Sequence, residues 1–370
     1  MIINPFYYGG AITHEHFCNR VQEIKELKQD IAAGLNMLIY APRRFGKTSF
    51  VLKTLDEMKS KNTKYIFLDL MYISTQEEFI NKYFNAIAQS LEQSSQKIVK
   101  YFKTVVNLRP NINVNFDHSG TPSFSLALNH EDKYSTLEDV MNSILDFVKK
   151  NKIVVVFDEF QEIVNLELES KLRSIIQMHS NKVSYIFMGS KKSLLHQMFM
   201  DKNRPFYKSV KHFQIKEIQR DSWCEFISSN FNKTNKTIGE KYIDNIITIT
   251  KGFPYYTQQA AYEIWNLTKD LVTNDIFDET LKIIISREED LFALEWDNIT
   301  PNQKKAIKII IDKKGVNLYD EQYLAKYHIK TGSIQTALKS LIQKDIIDKN
   351  GDRYYFQDPL FEYYIENKLR

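Results

Sequence analysis

Apolar positions recur along this chain with two different periods, and their alternation sets the reading of its fold. Between Asn19 and Gly34, Val21, Ile24, Leu27 and Ile31 fall on one face of an amphipathic helix, with Gly34 placed to stop it. Met37-Leu38-Ile39-Tyr40 follows. It is too short for a helix and free of polar alternation, as expected of a strand buried on both faces of a parallel sheet. A turn over Ala41–Gly46 leads into a helix over Lys47–Lys59. Tyr65–Leu70, Lys152–Phe157 and Val183–Met188 read as further buried strands, each followed by polar or helical sequence. Strands separated by helices imply βαβ crossovers, so the expected fold class is α/β with a parallel sheet.

One stretch breaks this pattern. Asn111–Asp117 and Ser123–Leu128 alternate with period 2 around His118-Ser119-Gly120-Thr121-Pro122, which predicts an inserted β-hairpin at about 111–128. It carries no chemistry of its own and is either a peripheral decoration or a docking arm for a protein partner. From Ser222 to Glu289 the pattern is helical. Thr300-Pro301, an N-cap followed by a proline in the first helical position, opens a third segment. Helices are expected near Asn302–Lys313, Asp320–Tyr327 and Ser333–Lys344. Two short strands, Ile346–Asp348 and Arg353–Phe356, flank an Asn-Gly turn. Three helices and a hairpin in this order predict a winged helix. The expected domains are an α/β core over 1–215, a helical lid over 216–295 and a winged helix-turn-helix domain over 296–370.

The candidate chemistry lies where the strand Met37–Tyr40 meets its helix. Ala41-Pro42-Arg43-Arg44-Phe45-Gly46-Lys47-Thr48 matches G-x-x-x-x-G-K-[ST] except for alanine in the first position. Backbone N–H groups and the dipole at the start of a helix favour a phosphate there. Gly46 allows close backbone approach, Lys47 reaches the β- and γ-phosphates, and the Thr48 hydroxyl ligates Mg2+. Ser49 follows as a further candidate nucleotide-binding residue. Alanine for the first glycine forfeits only freedom to take positive φ. Lys152–Glu159 adds an apolar strand ending in two carboxylates, which would face the crevice where α/β sheets bind ligands. Asp158 would then hold the Mg2+ shell, and Glu159 would orient and deprotonate a water. A strand-end Asp-Glu can also be a solvated surface feature. Both halves in order and in context indicate a P-loop NTPase. No Asn-Lys-x-Asp element follows Val183–Met188, which favours ATP over GTP. Arg43 and Arg44 either add charge near the phosphates or are solvated surface residues.

Composition narrows the class without changing it. The chain has 370 residues, 43% hydrophobic and 26% charged, and no apolar run near ~18 residues, so no transmembrane helix is expected. Its first ten residues lack the basic-then-apolar order of a secretion signal. Cys18 and Cys224 are too few for a disulfide framework or a four-cysteine zinc site, and a cytoplasmic location is the default. The net charge of +4 is confined to Pro301–Arg370, where 13 Lys/Arg face 9 Asp/Glu; the rest of the chain balances. Strong salt-dependent DNA binding needs on the order of six phosphate contacts, and this excess, diluted by Asp345, Asp348 and Asp352, is thin for that.

Several stretches together resemble the archaeal-type ATPase family, placed near AAA+ and STAND ATPases. Asn4-Pro5-Phe6 and Phe17-Cys18-Asn19-Arg20-Val21-Gln22-Glu23 are similar to its opening F-x-x-R-x-x-E segment. The resemblance continues through the P-loop, Phe157-Asp158-Glu159-Phe160, Phe187-Met188-Gly189-Ser190 and the stretch from Met198 to Tyr207. It ends with Tyr355-Phe356-Gln357-Asp358-Pro359-Leu360-Phe361, like the family's Y-x-F-x-D-P-x-F. Gly252-Phe253-Pro254 resembles the G-x-P of STAND lids, whose proline lies near adenine. The resemblance implies a sensor-1 role for Ser190, with a helix N-cap as the alternative. It also implies a sensing or arginine-finger role for Arg204, with a structural role as the alternative. No arginine follows Pro254 where AAA+ proteins carry sensor 2, a departure that puts ring-hexamer remodelling in doubt.

The resulting expectation is an ATP-binding protein and slow Mg2+-dependent ATPase acting as a conformational switch. ATP would bridge the core and the lid and set where the winged helix sits. The alternative is a DNA-binding regulator, with Ser333, Gln335, Thr336, Lys339 and Gln343 exposed on the third helix, Lys344 at its end, and Lys349, Asn350 and Arg353 on the wing. Oligomeric state is not legible.

Overall fold

A computed structural model describes residues 3–59, 63–90, 112–116, 122–126, 133–148 and 151–369. They group into two compact units, one of residues 20–42 and 47–216, the other of residues 3–19, 43–46 and 217–369.

The first unit is a parallel sheet in the order β2-β5-β6-β1-β7, made of β1 (Met37–Tyr40), β2 (Thr63–Asp69), β5 (Lys152–Asp158), β6 (Val183–Gly189) and β7 (Lys211–Gln214). Every pairing is parallel. The buried-strand readings match β1, β2, β5 and β6 to within two residues. The helix Val21–Ala32 precedes β1, and the helices Lys47–Met58, Gln76–Ser90, Lys133–Asn142, Glu169–Met178 and Lys192–Met200 lie in the connections between strands. A short helix, Leu145–Val148, and a 3₁₀ helix, Phe160–Leu166, flank β5 on either side in the chain. The fifth strand, β7, is absent from the sequence reading. It is a four-residue edge strand in which only Phe213 is buried, too short to show a period.

The expected hairpin is present as β3 (Ile112–Phe116) paired antiparallel with β4 (Pro122–Leu126). Pro122, read as part of the turn, pairs with Phe116. Asn111, Asp117 to Thr121, Ala127 and Leu128 lie outside the described residues.

Phe157 in β5 centres the core. Its ring stacks at about 6 Å on Phe79 and Tyr83 of one helix and on Tyr185 and Phe187 of β6, and all five are buried. Burying such rings removes ~150–250 Å² each from water, which makes this layer a principal stabilising feature of the sheet unit. His179 closes it. The ring is fully buried, with Nδ1 2.6 Å from the Tyr185 hydroxyl and Nε2 2.8 Å from Asn142 Oδ1.

The second unit carries four helices, Arg220–Asn232, Glu240–Thr250, Pro254–Leu267 and Asn274–Asp297, then the winged-helix elements. The N-terminal segment belongs here because Asn4 donates to the Tyr262 carbonyl (3.0 Å) and Gln258 donates to the His16 carbonyl (2.8 Å). The helix Pro301–Asp312 starts at Thr300, as its sequence predicts. Gln303 completes a reciprocal capping box and also donates to Ser340 (2.8 Å). Glu321–Lys326 and Thr331–Gln343 follow, then β8 (Ile347–Asn350) paired with β9 (Arg353–Phe356). A last helix, Pro359–Leu369, was not expected from the sequence. Among the described residues no helix is long and apolar enough to cross a membrane.

Burial, reinforced by Lys182, lowers the His179 pKa from 6.5 to about 4, so the folded state keeps this ring neutral where the unfolded chain protonates it. The unfolded state therefore binds more protons across that window, and stability falls as pH drops from 6.5 to about 4. A loss of ~3 kcal/mol is expected from this group. Urea unfolding of the wild type across that range should show a steeper loss than His179→Gln.

Candidate nucleotide site

The loop after β1 is shared along the chain between the two units: residues 43–46 group with the lid and winged helix, whereas Pro42 and Lys47 group with the sheet. On the sheet side, the helix Lys47–Met58 starts here, and the first N–H groups of any helix lie outside its own hydrogen-bond ladder. Lys47 is buried, and its Nζ donates to the carbonyls of Ala41 (2.8 Å) and Pro42 (3.1 Å). Thr48 and Ser49 are half-buried in the same first turn. Alanine for glycine at position 41 has a physical explanation: positive φ falls on Arg44 (61°) and Gly46 (83°), and not on Ala41.

The two carboxylates at the end of β5 are turned to different partners. Asp158 Oδ2 accepts from Thr48 Oγ1 at 2.8 Å, and Oδ1 accepts from the Glu159 N–H at 3.0 Å. Burial raises the Asp158 pKa; the Thr48 hydrogen bond and Lys47 oppose that, and the Glu159 charge adds to it. Glu159 itself adopts φ 52° between the strand and the 3₁₀ helix. Its Oε2 accepts from Ser190 Oγ (3.0 Å), Ser190 N–H (3.3 Å) and Gln161 Nε2. β6 lies between β1 and β5, so its end delivers Ser190 beside Glu159. Lys191, not Ser190, is the N-cap of the helix Lys192–Met200.

On the other side, Phe45 is buried edge-on against Phe253 at 5.2 Å, and a Cβ at Gly46 would rest 3.8 Å from Pro254, an ordinary contact. Gly46 is therefore demanded by its φ and not by space. Arg43 is exposed, in keeping with the solvated reading. Arg44 is engaged: Nη1 donates to the Tyr256 hydroxyl and to Asp358 Oδ2 (3.3 Å), and its guanidinium lies 4.8 Å from the Tyr255 ring. Asp358 also caps the helix Pro359–Leu369, with Oδ1 accepting from Leu360 (2.9 Å) and Phe361 (3.2 Å). Arg204 stands apart from all of these and pairs with Glu169 at 2.7 Å.

Sequence reasoning missed the parts played by Gln161, Tyr256 and Asp358. Asp358-Pro359 is an N-cap followed by proline, a signal present in the sequence. Nothing local marks Gln161 or Tyr256. For a cation, the Thr48 hydroxyl and the buried Asp158 carboxylate offer hard oxygen ligands 2.8 Å apart, a donor set that fits Mg2+ held together with phosphate oxygens. Among the described residues no group of three His, Cys, Asp or Glu gathers as a metal cluster, and a phosphate-assisted Mg2+ site needs none.

A parallel sheet with this loop and strand-end carboxylates, joined to a winged helix domain, defines a P-loop nucleotide-binding ATPase. The sequence model described as "ATPase domain predominantly from Archaea" matches residues 17–260, and that described as "probable winged helix domain" matches residues 290–367. The chain belongs to this archaeal-type ATPase family. Its fold is similar to the Walker-type ATPase of Pyrococcus abyssi (TM-score 0.66, 18% identity, 96% of this chain and 98% of that one). It is also similar to the Aeropyrum pernix ORC2 protein solved with ADPNP and ADP (TM-score 0.56, 12% identity, 97% and 95% covered). The Aeropyrum pernix ORC1 protein in complex with DNA aligns at a TM-score of 0.50 with 12% identity over 96% and 95%. No protein of curated function matches the sequence.

The Arg44–Asp358 pair is partly solvated, with side chains 40% and 28% exposed, so its direct strength is modest and screened by salt. A double-mutant cycle of Arg44→Met and Asp358→Asn, the latter keeping the helix cap, should give a coupling of about 1 kcal/mol in urea unfolding at low salt. That coupling should shrink in high salt.

Proposed function

We propose that the chain binds ATP through residues 41–49 and hydrolyses it slowly with Mg2+, as a nucleotide-controlled conformational switch. The observation that carries the enzymatic part is the division of labour at the end of β5, with Asp158 held by Thr48 and Glu159 held by Ser190 and Gln161. Lys47 and the first N–H groups of its helix would take the β- and γ-phosphates. Thr48 and Asp158 would hold Mg2+, which when bound neutralises charge on the phosphate oxygens. Glu159 would orient a water and accept its proton as the water oxygen attacks the γ-phosphorus. The bond to the bridging oxygen then breaks, its electron pair leaving with ADP. Ser190 would sense the γ-phosphate through Glu159, and Pro254 would lie near adenine. Arg204 would have to leave Glu169 to reach a phosphate, which supports a structural role for it.

The switch reading is supported by Arg44. A residue of the phosphate loop is bonded to Asp358, the cap of the chain's last helix, so loop conformation and helix docking share one side chain. We assign the α/β core within 1–215, of which residues 3–19 and 43–46 group with the later helices, the lid to 216–295 and the winged helix domain to 296–370. The exposed Gln335, Thr336, Lys339 and Gln343 on one helix, with Lys349, Asn350 and Arg353 on the β8–β9 hairpin, support a second reading as a DNA-binding regulator.

Lys47→Ala is expected to abolish nucleotide binding in a titration with a fluorescent ATP analogue. Glu159→Gln should bind ATP with unchanged affinity while phosphate release drops at least a hundredfold. Unchanged hydrolysis in that variant would sink the catalytic assignment. Titrating duplex DNA at two salt concentrations, with and without ATP, tests the second reading, which is abandoned if no binding is seen at low salt.

A further inference from the structure

Gln161 is buried, 3% exposed, in the 3₁₀ helix that follows β5. A buried amide at such a place is costly unless its polar atoms are used. Its Nε2 donates to Glu159 Oε2, while its Oε1 is buried with no partner among the described residues. Leaving a buried acceptor unpaired is destabilising, a cost that an apolar side chain of similar size would avoid. The amide is therefore retained against its own local energetics. Its orientation has one sensible sense, since the flipped amide would face a carboxylate with a carbonyl oxygen.

A second, independent observation comes from the neighbouring strand. Gly189 ends β6, and a Cβ there would fall 2.1 Å from Gln161 Oε1 and 2.9 Å from Leu195 Cδ1. Gly189 is not among the residues with positive φ, so its backbone does not call for glycine. The requirement is space, and the space is filled by the Gln161 amide. The next residue is Ser190, whose N–H and hydroxyl also donate to Glu159 Oε2. Three donors from two elements thus converge on one oxygen. All three donors are on Oε2, and among the described residues none is on Oε1.

We infer that Gln161, in the room kept by Gly189, is a positioning residue that fixes the Glu159 carboxylate so that one oxygen is anchored and the other receives the proton. The inference rests on Glu159 acting as the base in the proposed hydrolysis. Gln161 touches neither nucleotide nor water in this role. It acts through Glu159, and misplacing a catalytic group by about 1 Å can cost on the order of a hundredfold in rate.

The test uses the full chain. Gln161→Leu, which keeps volume and removes the amide, should lower kcat ten- to a hundredfold while affinity for a non-hydrolysable ATP analogue stays within twofold. Gly189→Ala, which leaves Gln161 in place but pushes its amide aside, should give the same split and serves if the leucine variant folds poorly. A merely structural residue would not show the third readout. In a Glu159→Gln background, Gln161→Leu should cause no further loss in single-turnover rate, because there is no base left to position. Full turnover by Gln161→Leu, or an additive loss in the double variant, overturns the inference while Glu159 stands. Full turnover by Glu159→Gln overturns both the base assignment and the positioning role.

Discussion

Everything at this site depends on two adjacent carboxylates being aimed at different partners, and one backbone angle does it. Successive strand residues already point to opposite faces. Glu159 then leaves β5 through a left-handed conformation, φ 52°, which starts the 3₁₀ helix one residue later. Asp158 is left facing Thr48, and Glu159 is carried toward the end of β6. Left-handed backbone costs a non-glycine residue roughly 1 kcal/mol. The donors gathered on its carboxylate offset that, charge-assisted bonds being worth about 1.5–3 kcal/mol each. The sheet order matters for the same reason: β6 lies next to β5, so Ser190 arrives beside Glu159 without a long loop.

A parallel economy holds at the other end of the chain. Asp358 caps the last helix with one oxygen and accepts from Arg44 and Tyr256 with the other. Lys251, just before Gly252-Phe253-Pro254, pairs with Glu362 one turn further along that helix. Two acidic residues four apart on one helical face thus meet two basic residues, one from the phosphate loop and one from the turn ahead of the lid helix. A change that moved Arg44 would act on both the cap and the pair, which is why this contact supports a switch better than an isolated surface ion pair would.

What the sequence disclosed follows from how local each signal is. The P-loop, Asp158-Glu159 and the Thr300-Pro301 start are written in consecutive residues. Each was readable because a helix start or a strand end is a local event. The strands β1, β2, β5 and β6 were readable because burial on both faces forbids polar alternation. β7 was not, since an edge strand with one buried residue has no pattern to show. Gln161 escaped notice for a different reason: its neighbours Gly189 and Ser190 are some thirty residues away, and only the parallel register of β5 against β6 brings them together. Arg44 could be read as charge near phosphate, yet its partners Tyr256 and Asp358 lie more than 200 and 300 residues on.

Two residues of the candidate site carry backbone strain along with engaged side chains. Arg44 and Glu159 both hold positive φ, where glycine would be cheaper by roughly 1 kcal/mol. Glycine does stand at Gly46, two residues from Arg44, where φ is 83° and the nearest atom to an added Cβ is at ordinary distance. Within this loop, glycine stands at the position where only the conformation is needed. The chain accepts strain at Arg44 and Glu159, whose side chains engage Asp358 and the Ser190–Gln161 donors. Fourteen non-glycine residues hold positive φ among the described residues, so the conformation alone singles out no function; what sets Arg44 and Glu159 apart is the partners their side chains reach, on which the proposed coupling and proton abstraction rest.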